Sequence, residues 1–148
     1  MPLIKDGQEF NDDTLSHSLS EFLEKAQEIL SENTRFGVRL SPDEDPVRLS
    51  PYLDRVARIE IDFPKYTDGR GFSQAQLLRR RLGYEGELRA VGHVLRDQLL
   101  YMHRSGFDAY ATSRADLPSF LEAMREFSSF YQPAADGVQG VFAARHGR

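Results

Sequence analysis

Arg58-Ile59-Glu60-Ile61-Asp62-Phe63 runs into the loop Pro64-Lys65-Tyr66-Thr67-Asp68-Gly69-Arg70-Gly71. Phe72-Ser73-Gln74-Ala75-Gln76-Leu77-Leu78 follows, and then Leu88-Arg89-Ala90-Val91-Gly92. The first six residues alternate strictly. Ile59, Ile61 and Phe63 fall on one face and Glu60 and Asp62 on the other, the two-residue period of a strand. Residues 73–82 read as a helix. Ser73 and Gln76 form a capping box, Phe72 and Leu77 a hydrophobic staple, and Gly83 stands where a left-handed residue would end it. Residues 88–91 are again strand-like. Strand, helix, strand at this spacing predicts a parallel βαβ unit.

The same rhythm continues in both directions. Residues 94–105 read as a helix stopped by Gly106, and 107–111 as a strand. Asp116 caps a last helix with Pro118 in its first turn and Leu117, Phe120, Leu121, Met124, Phe127 and Phe130 on one side. Upstream, 36–40 is a strand, followed by the acidic loop Ser41-Pro42-Asp43-Glu44-Asp45-Pro46. Residues 47–56 are ambiguous, with one helical turn around Pro51. Leu15, Leu19, Phe22, Leu23, Ala26, Ile29 and Leu30 form the stripe of an N-terminal helix. Ser18 and Glu21 fit a capping box there, and Asn33 a stop. Asp6-Gly7 between Leu3-Ile4 and Phe10 suggests an N-terminal hairpin. The expectation is one α/β domain over residues 1–148, with a mainly parallel sheet of about four strands and a glycine-rich tail from about 133.

These strands are not the continuous apolar runs of a parallel sheet covered on both sides. Arg39, Glu60, Asp62, Arg89 and Asp108 interrupt them. One sheet face is therefore expected to meet helices. The other is polar, lining a half-barrel, a ligand cleft or an interface, or simply solvated at the sheet edges.

Composition narrows the chemistry. The 148 residues are 40% hydrophobic and 28% charged with net charge −4, which suits one globular domain. The acidic balance argues against a general nucleic-acid binder. There is no cysteine, which excludes disulfides, thiolate metal sites, cysteine-ligated clusters and cysteine nucleophiles. No apolar run approaches the roughly 20 residues that span a bilayer, and MPLIKDGQEF lacks the apolar core of a secretory signal. A cytoplasmic location is expected. His17, His93, His103 and His146 show no metal-ligand spacing, and there is no G-x-S-x-G elbow, Walker loop or dinucleotide fingerprint. Arg79-Arg80-Arg81 reads as a solvated helix face.

Two segments leave strand ends for helix starts, the edge at which open α/β folds bind ligands. In the first, Lys65 and Arg70 supply positive charge, Asp68 and Ser73 polar groups, and Gly71 close backbone approach, beside a helix N-terminus suited to anions. A tight βα loop with glycines for turn geometry is the alternative. The second carries Arg89, Gly92, His93, Arg96 and Asp97. A histidine at a helix start is favoured in its neutral form and can exchange protons, or it is a solvent-facing residue, with Arg96 and Asp97 an ordinary surface pair.

Phe63-Pro64-Lys65-Tyr66-Thr67-Asp68-Gly69-Arg70-Gly71-Phe72-Ser73-Gln74-Ala75, Leu82-Gly83-Tyr84, Gly86-Glu87-Leu88-Arg89-Ala90-Val91-Gly92, Val94-Leu95-Arg96-Asp97-Gln98-Leu99 and Gly106-Phe107-Asp108 closely resemble a bacterial family. That family consists of uncharacterised proteins described as oxidoreductases involved in sulfite reduction, and its genes tend to accompany those of assimilatory sulfite reductase. The resemblance covers residues 38–132. Members commonly carry aspartate at the position of His93, which weakens a catalytic role for it. They often carry cysteine at the position of Ser105, so a thiol there is not essential to this protein.

The resemblance implies an accessory or subunit-like component of assimilatory sulfite reduction. A six-electron reduction needs a redox cofactor. The chain itself is expected to bind none, so sirohaem or an iron–sulfur cluster would sit on a partner, the sulfite reductase haemoprotein or a related sulfur-assimilation enzyme. Two alternatives stand beside this reading. One is a small-molecule enzyme with an anion site at the βα loops. The other is a cofactor-free interaction module, including a homo-oligomer. Neither nucleic acid nor membrane is an expected partner.

Overall fold

The computed structural model describes residues 2–65 and 69–131. Expectations for Asp68, for the Phe127 and Phe130 side chains and for the glycine-rich stretch from 133 fall outside the described residues.

Strands β1 (Leu3–Lys5) and β2 (Gln8–Phe10) form the N-terminal hairpin. Its turn is Asp6-Gly7, with φ of 55° and 76°. Two consecutive positive values match the twist of the flanking strands, which is why Asp-Gly is favoured there. β3 (Ser16–Ser18) leads into α1 (Leu19–Glu24) and α2 (Ala26–Ser31), a single helical run broken at Lys25. The Ser18 hydroxyl accepts from the Glu21 amide at 3.2 Å, the expected cap. Asn33, at φ 54°, ends the run. β4 (Gly37–Leu40), a 3₁₀ segment (Pro46–Tyr52) and β5 (Arg58–Phe63) follow. Next come α3 (Arg70–Gln76), a π-helical turn (Leu77–Arg81) and β6 (Glu87–Gly92). A short 3₁₀ turn (Arg96–Gln98), α4 (Leu99–Ser105), β7 (Ala109–Ala111) and α5 (Leu117–Tyr131) complete the order.

The sheet has seven described strands, not four, in the order β2-β1-β7-β6-β5-β4-β3. β3 to β7 are parallel, and β1 joins β7 antiparallel. The α/β class and mainly parallel sheet hold. The undercount arises from the hairpin and from β3, whose Ser16-His17-Ser18 carries no apolar signal. Leu15 is correspondingly not helical; it precedes β3 and is 66% exposed.

Because β3 to β7 lie side by side in chain order, right-handed crossovers return the helices from α1 to α4 to the same side, and α5 packs on α4. Val38, Ile59, Ile61, Phe63, Leu88 and Tyr110 there meet Phe22, Phe72, Leu78, Met102 and Phe120 in one core. Phe63 packs against Phe72 and Phe107 at centroid distances of 5.3 and 5.8 Å.

The other face is curled. β2 and β3 are opposite edges of the sheet, yet only residues 11–15 connect them. Six strand spacings would measure roughly 29 Å on a flat sheet at the usual separation. Six residue steps reach at most about 21 Å. The sheet must bend around its polar face, and residues 11–15 cross the concavity as a strap. Consistent with this, the Phe10 ring of β2 lies 5.4 Å from the Arg89 guanidinium, three strands away. That face is not simply solvated, since the strap crosses it and Arg58 and Arg89 on it are buried.

Two local departures have clear causes. α3 begins at Arg70, three residues before the Ser73 capping box, with Gly69 at its N-cap. Arg79 is not solvated. The π turn swings it inward, where Nε donates to the Gly106 carbonyl (2.9 Å) and Nη1 to those of Tyr84 and Gly86 (2.8 and 2.7 Å). Arg80 and Arg81 remain exposed. Gly106 has the expected left-handed φ of 115° at the end of α4.

Candidate functional site

The β5 and β6 loops leave the same rim of the sheet. Phe63 and Gly92 are register partners at the last position of each strand. The His93 amide donates to the Phe63 carbonyl at 2.7 Å. The His93 imidazole Nδ1 lies 2.7 Å from the Pro64 carbonyl; since a carbonyl only accepts, Nδ1 carries a proton. His93 thus fastens one loop to the other. It sits in the turn, three residues short of the 3₁₀ segment, not at a helix start.

Gly92 makes that approach possible. Its φ is +91°, and a Cβ there would stand 2.6 Å from the Phe63 carbonyl oxygen and 2.8 Å from Asp62 Oδ1. Gly92→Ala is expected to lose about 2 kcal/mol of stability through backbone strain. Chemical denaturation of the variant beside the wild type measures it; an unchanged midpoint would show that the turn is not held as described.

The neighbouring loop after β4 joins the rim through a residue that the sequence did not single out. Gln74 of α3, 5% exposed, donates from Nε2 to the Ser41 and Glu44 carbonyls at 2.8 Å each. A hydrogen bond from the Ser41 hydroxyl, with a contribution from the Arg70 charge, holds the Asp43 carboxyl below its ordinary range. Arg39 and Asp62 add an ion pair at 3.5 Å on the concave side.

The other sequence candidates are distributed more widely. Lys65, Arg70 and Ser73 are exposed along the start of the β5–α3 connection. Gly71 is buried, and a Cβ there would meet the Phe63 ring at 2.5 Å, so its bareness serves helix–strand packing. Arg96 turns toward α5, with Nε 3.3 Å from the Ser119 carbonyl and Nη2 3.7 Å from Glu126. Asp97 is 93% exposed beside it.

Arg89 departs most from expectation. As the third residue of β6 it lies inside the concavity, away from the rim, and is 4% exposed. Its Nη2 is 2.8 Å from Asp12 Oδ2 and 2.7 Å from Glu87 Oε2. Arg58 Nη1 reaches the same Asp12 oxygen at 2.8 Å, and its Nε reaches Glu60 at 2.8 Å. Lys5 approaches Glu87 at 3.5 Å. Three cations and three carboxylates balance. Burial would raise the Asp12 carboxyl, but hydrogen bonds from Thr14 and Arg89 and the charge of Arg58 hold it far below the ordinary range.

The architecture defines a curled βα sheet with helices on its convex side, a polar interior and a rim formed by the loops that follow β4, β5 and β6. Residues 37–142 match a bacterial protein family of unknown function, DUF934, and the chain belongs to that family. No curated protein matches the chain. Among the described residues no helix is long and apolar enough to cross a membrane, and no group of three or more His, Asp or Glu is placed to hold a metal ion.

Proposed function

We propose that this protein is an accessory component of assimilatory sulfite reduction, docking on a haemoprotein partner through the β5–β6 rim. The sequence resemblance supports the pathway. The observation that carries the mode of action is the paired rim. Exposed Lys65 and Arg70 lie on the β5 side of it and His93 on the β6 side, and the His93 contacts to Phe63 and Pro64 fasten the two together. Two exposed apolar groups favour docking over an enclosed reaction. Leu95, 38% exposed, lies in the rim turn, and Tyr101, 54% exposed, packs against Phe72 at 4.6 Å. Two exposed cations, Lys65 and Arg70, with apolar neighbours suit a partner surface that offers carboxylates beside an apolar patch.

Electron transfer and sulfur–oxygen bond cleavage belong, in this reading, to sirohaem or an iron–sulfur cluster on the partner. A chain without cysteine cannot ligate a cluster through thiolates. The protein's own contribution is to position or deliver, with the rim cations facing an anionic substrate or cofactor carboxylates.

A deletion strain is expected to grow poorly with sulfate as sole sulfur source and normally with sulfide or cysteine. Tagged protein should co-purify with the sulfite reductase haemoprotein, and Lys65→Glu/Arg70→Glu should weaken that association at least tenfold, consistent with loss of complementary rim charge. Wild-type growth on sulfate would remove the pathway assignment. Undiminished association of the double variant would remove the rim.

A further inference from the structure

We infer that the concave face holds a second site, an oxyanion-binding site formed by Arg58 and Arg89 and occupied in this structure by the Asp12 carboxylate of the strap. This inference does not rest on the sulfite-reduction reading and concerns a different part of the molecule.

The geometry is that of an anion receptor whose ligand is part of the chain. One oxygen, Asp12 Oδ2, accepts from two guanidinium groups at 2.8 Å each. Those groups come from neighbouring strands, β5 and β6, and are 4% and 5% exposed at their side chains. Off the strap, Arg58 is held by Glu60, and Arg89 by Glu87 and the Phe10 ring. Removal of Asp12 would leave two preorganised, desolvated cations converging on one point, the arrangement that proteins use for carboxylates and inorganic oxyanions.

Access is present as well. A cleft of about 220 Å³ opens beside the strap, with Phe10 and Asp12 among its walls and the Arg114–Glu9 pair at its edge. Asp12 lines this cleft and neither Arg58 nor Arg89 does, so a small oxyanion reaches the two guanidinium groups only where Asp12 moves aside. The strap has little else to hold it. It forms no helix or strand, and its one large apolar residue, Leu15, is 66% exposed. Besides the arginine contacts its described anchor is the Leu15 carbonyl, which accepts from the Gly37 amide at 2.9 Å. The same two guanidinium groups thus fix the strap and form the site, so an incoming anion and Asp12 compete for one position.

The experiment compares wild type with Asp12→Ala by thermal shift and calorimetry, using sulfate, sulfite and phosphate in one arm and acetate and succinate in the other. Sodium chloride at matched ionic strength is the control. Asp12→Ala is expected to bind at least one oxyanion saturably and about tenfold or more tighter than wild type, because an intramolecular competitor has been removed. The two arms separate inorganic oxyanions from carboxylates. Hydrogen exchange on the unaltered protein supplies the second readout, and it remains informative where the variant does not fold. The favoured anion should accelerate exchange in residues 11–15 while leaving β5 and β6 protected. Folded Asp12→Ala with no gain over chloride would overturn the inference. So would a wild-type strap whose exchange is unchanged at saturating anion, even where the variant binds.

Discussion

Arg58→Ala is expected to destabilise the protein by about 3–5 kcal/mol, the usual loss when one partner of a buried ionic network is removed. Arg58 is 3% exposed, and its three nitrogens serve three different acceptors. Nε binds Glu60, Nη1 Asp12 and Nη2 the Thr14 carbonyl, at 2.8, 2.8 and 2.9 Å. Alanine would leave three carboxylates, Asp12, Glu60 and Glu87, with only Arg89 and Lys5 to balance them. The loss should persist in high salt, since buried pairs are poorly screened. Arg58→Lys should recover only part of it, because one ammonium cannot span three divergent acceptors. Denaturant titration measures both variants. A loss below 1 kcal/mol for Arg58→Ala, the range of surface ion pairs, would mean that the concave face is wetter than described.

The second large effect is a pH dependence at Asp108, just ahead of β7. Its carboxyl is 12% exposed and accepts the Leu88 amide at 2.8 Å, with Arg79 at 3.6 Å. Burial raises its pKa from 3.8 to about 6, against the opposing charges of Arg79 and Lys5. A raised carboxyl binds its proton more tightly in the folded than in the unfolded chain. Its contribution to stability is therefore complete below about pH 4 and is lost as pH rises through about 6, a change of about 3 kcal/mol for a shift of this size. Asn at this position keeps the oxygen and does not titrate. The stability of wild type minus that of Asp108→Asn should fall by about that amount between pH 4 and pH 7. Asp12, displaced the other way, loses stability as pH falls, but it is common to both proteins and cancels in the difference. A difference that is flat with pH would show that Arg79 compensates the burial fully.

Alternation in residues 58–63 was enough to announce both faces of the sheet, and the spacing of loops and glycines placed β5 and β6 with a shared rim. What the sequence concealed depends on distant pairing. Nothing local in Asn11-Asp12-Asp13-Thr14 marks which carboxylate turns inward. That is decided by arginines 46 and 77 positions away. β3 is three residues long at a sheet edge and draws its stability from the ladder with β4, so it shows no pattern of its own. Leu15 stands four residues before Leu19 and completes a helical stripe by coincidence. The Ser73–Gln76 box is likewise a valid local signal that α3 overruns by one turn, since Gly71 and Phe72 gain by packing on Phe63. Arg79 looked like surface charge until the π turn redirected it. Of the candidate site, the rim was legible and its fastening by His93 was not, because that contact joins residues 29 apart.

The N-terminal hairpin has a temporal consequence. β1 has no neighbour except β2 until β7 exists, and Ile4 pairs with Tyr110. On the ribosome the hairpin emerges long before its docking strand is made, and an isolated two-stranded ribbon is at best marginally stable in water. The arc from β3 to β7 must assemble first. Only then can the earliest strands be recruited and the strap drawn across the interior. Closing that chain-length loop is the slow, high-contact-order step, so ionic pairing inside the concavity should register among the last events of folding.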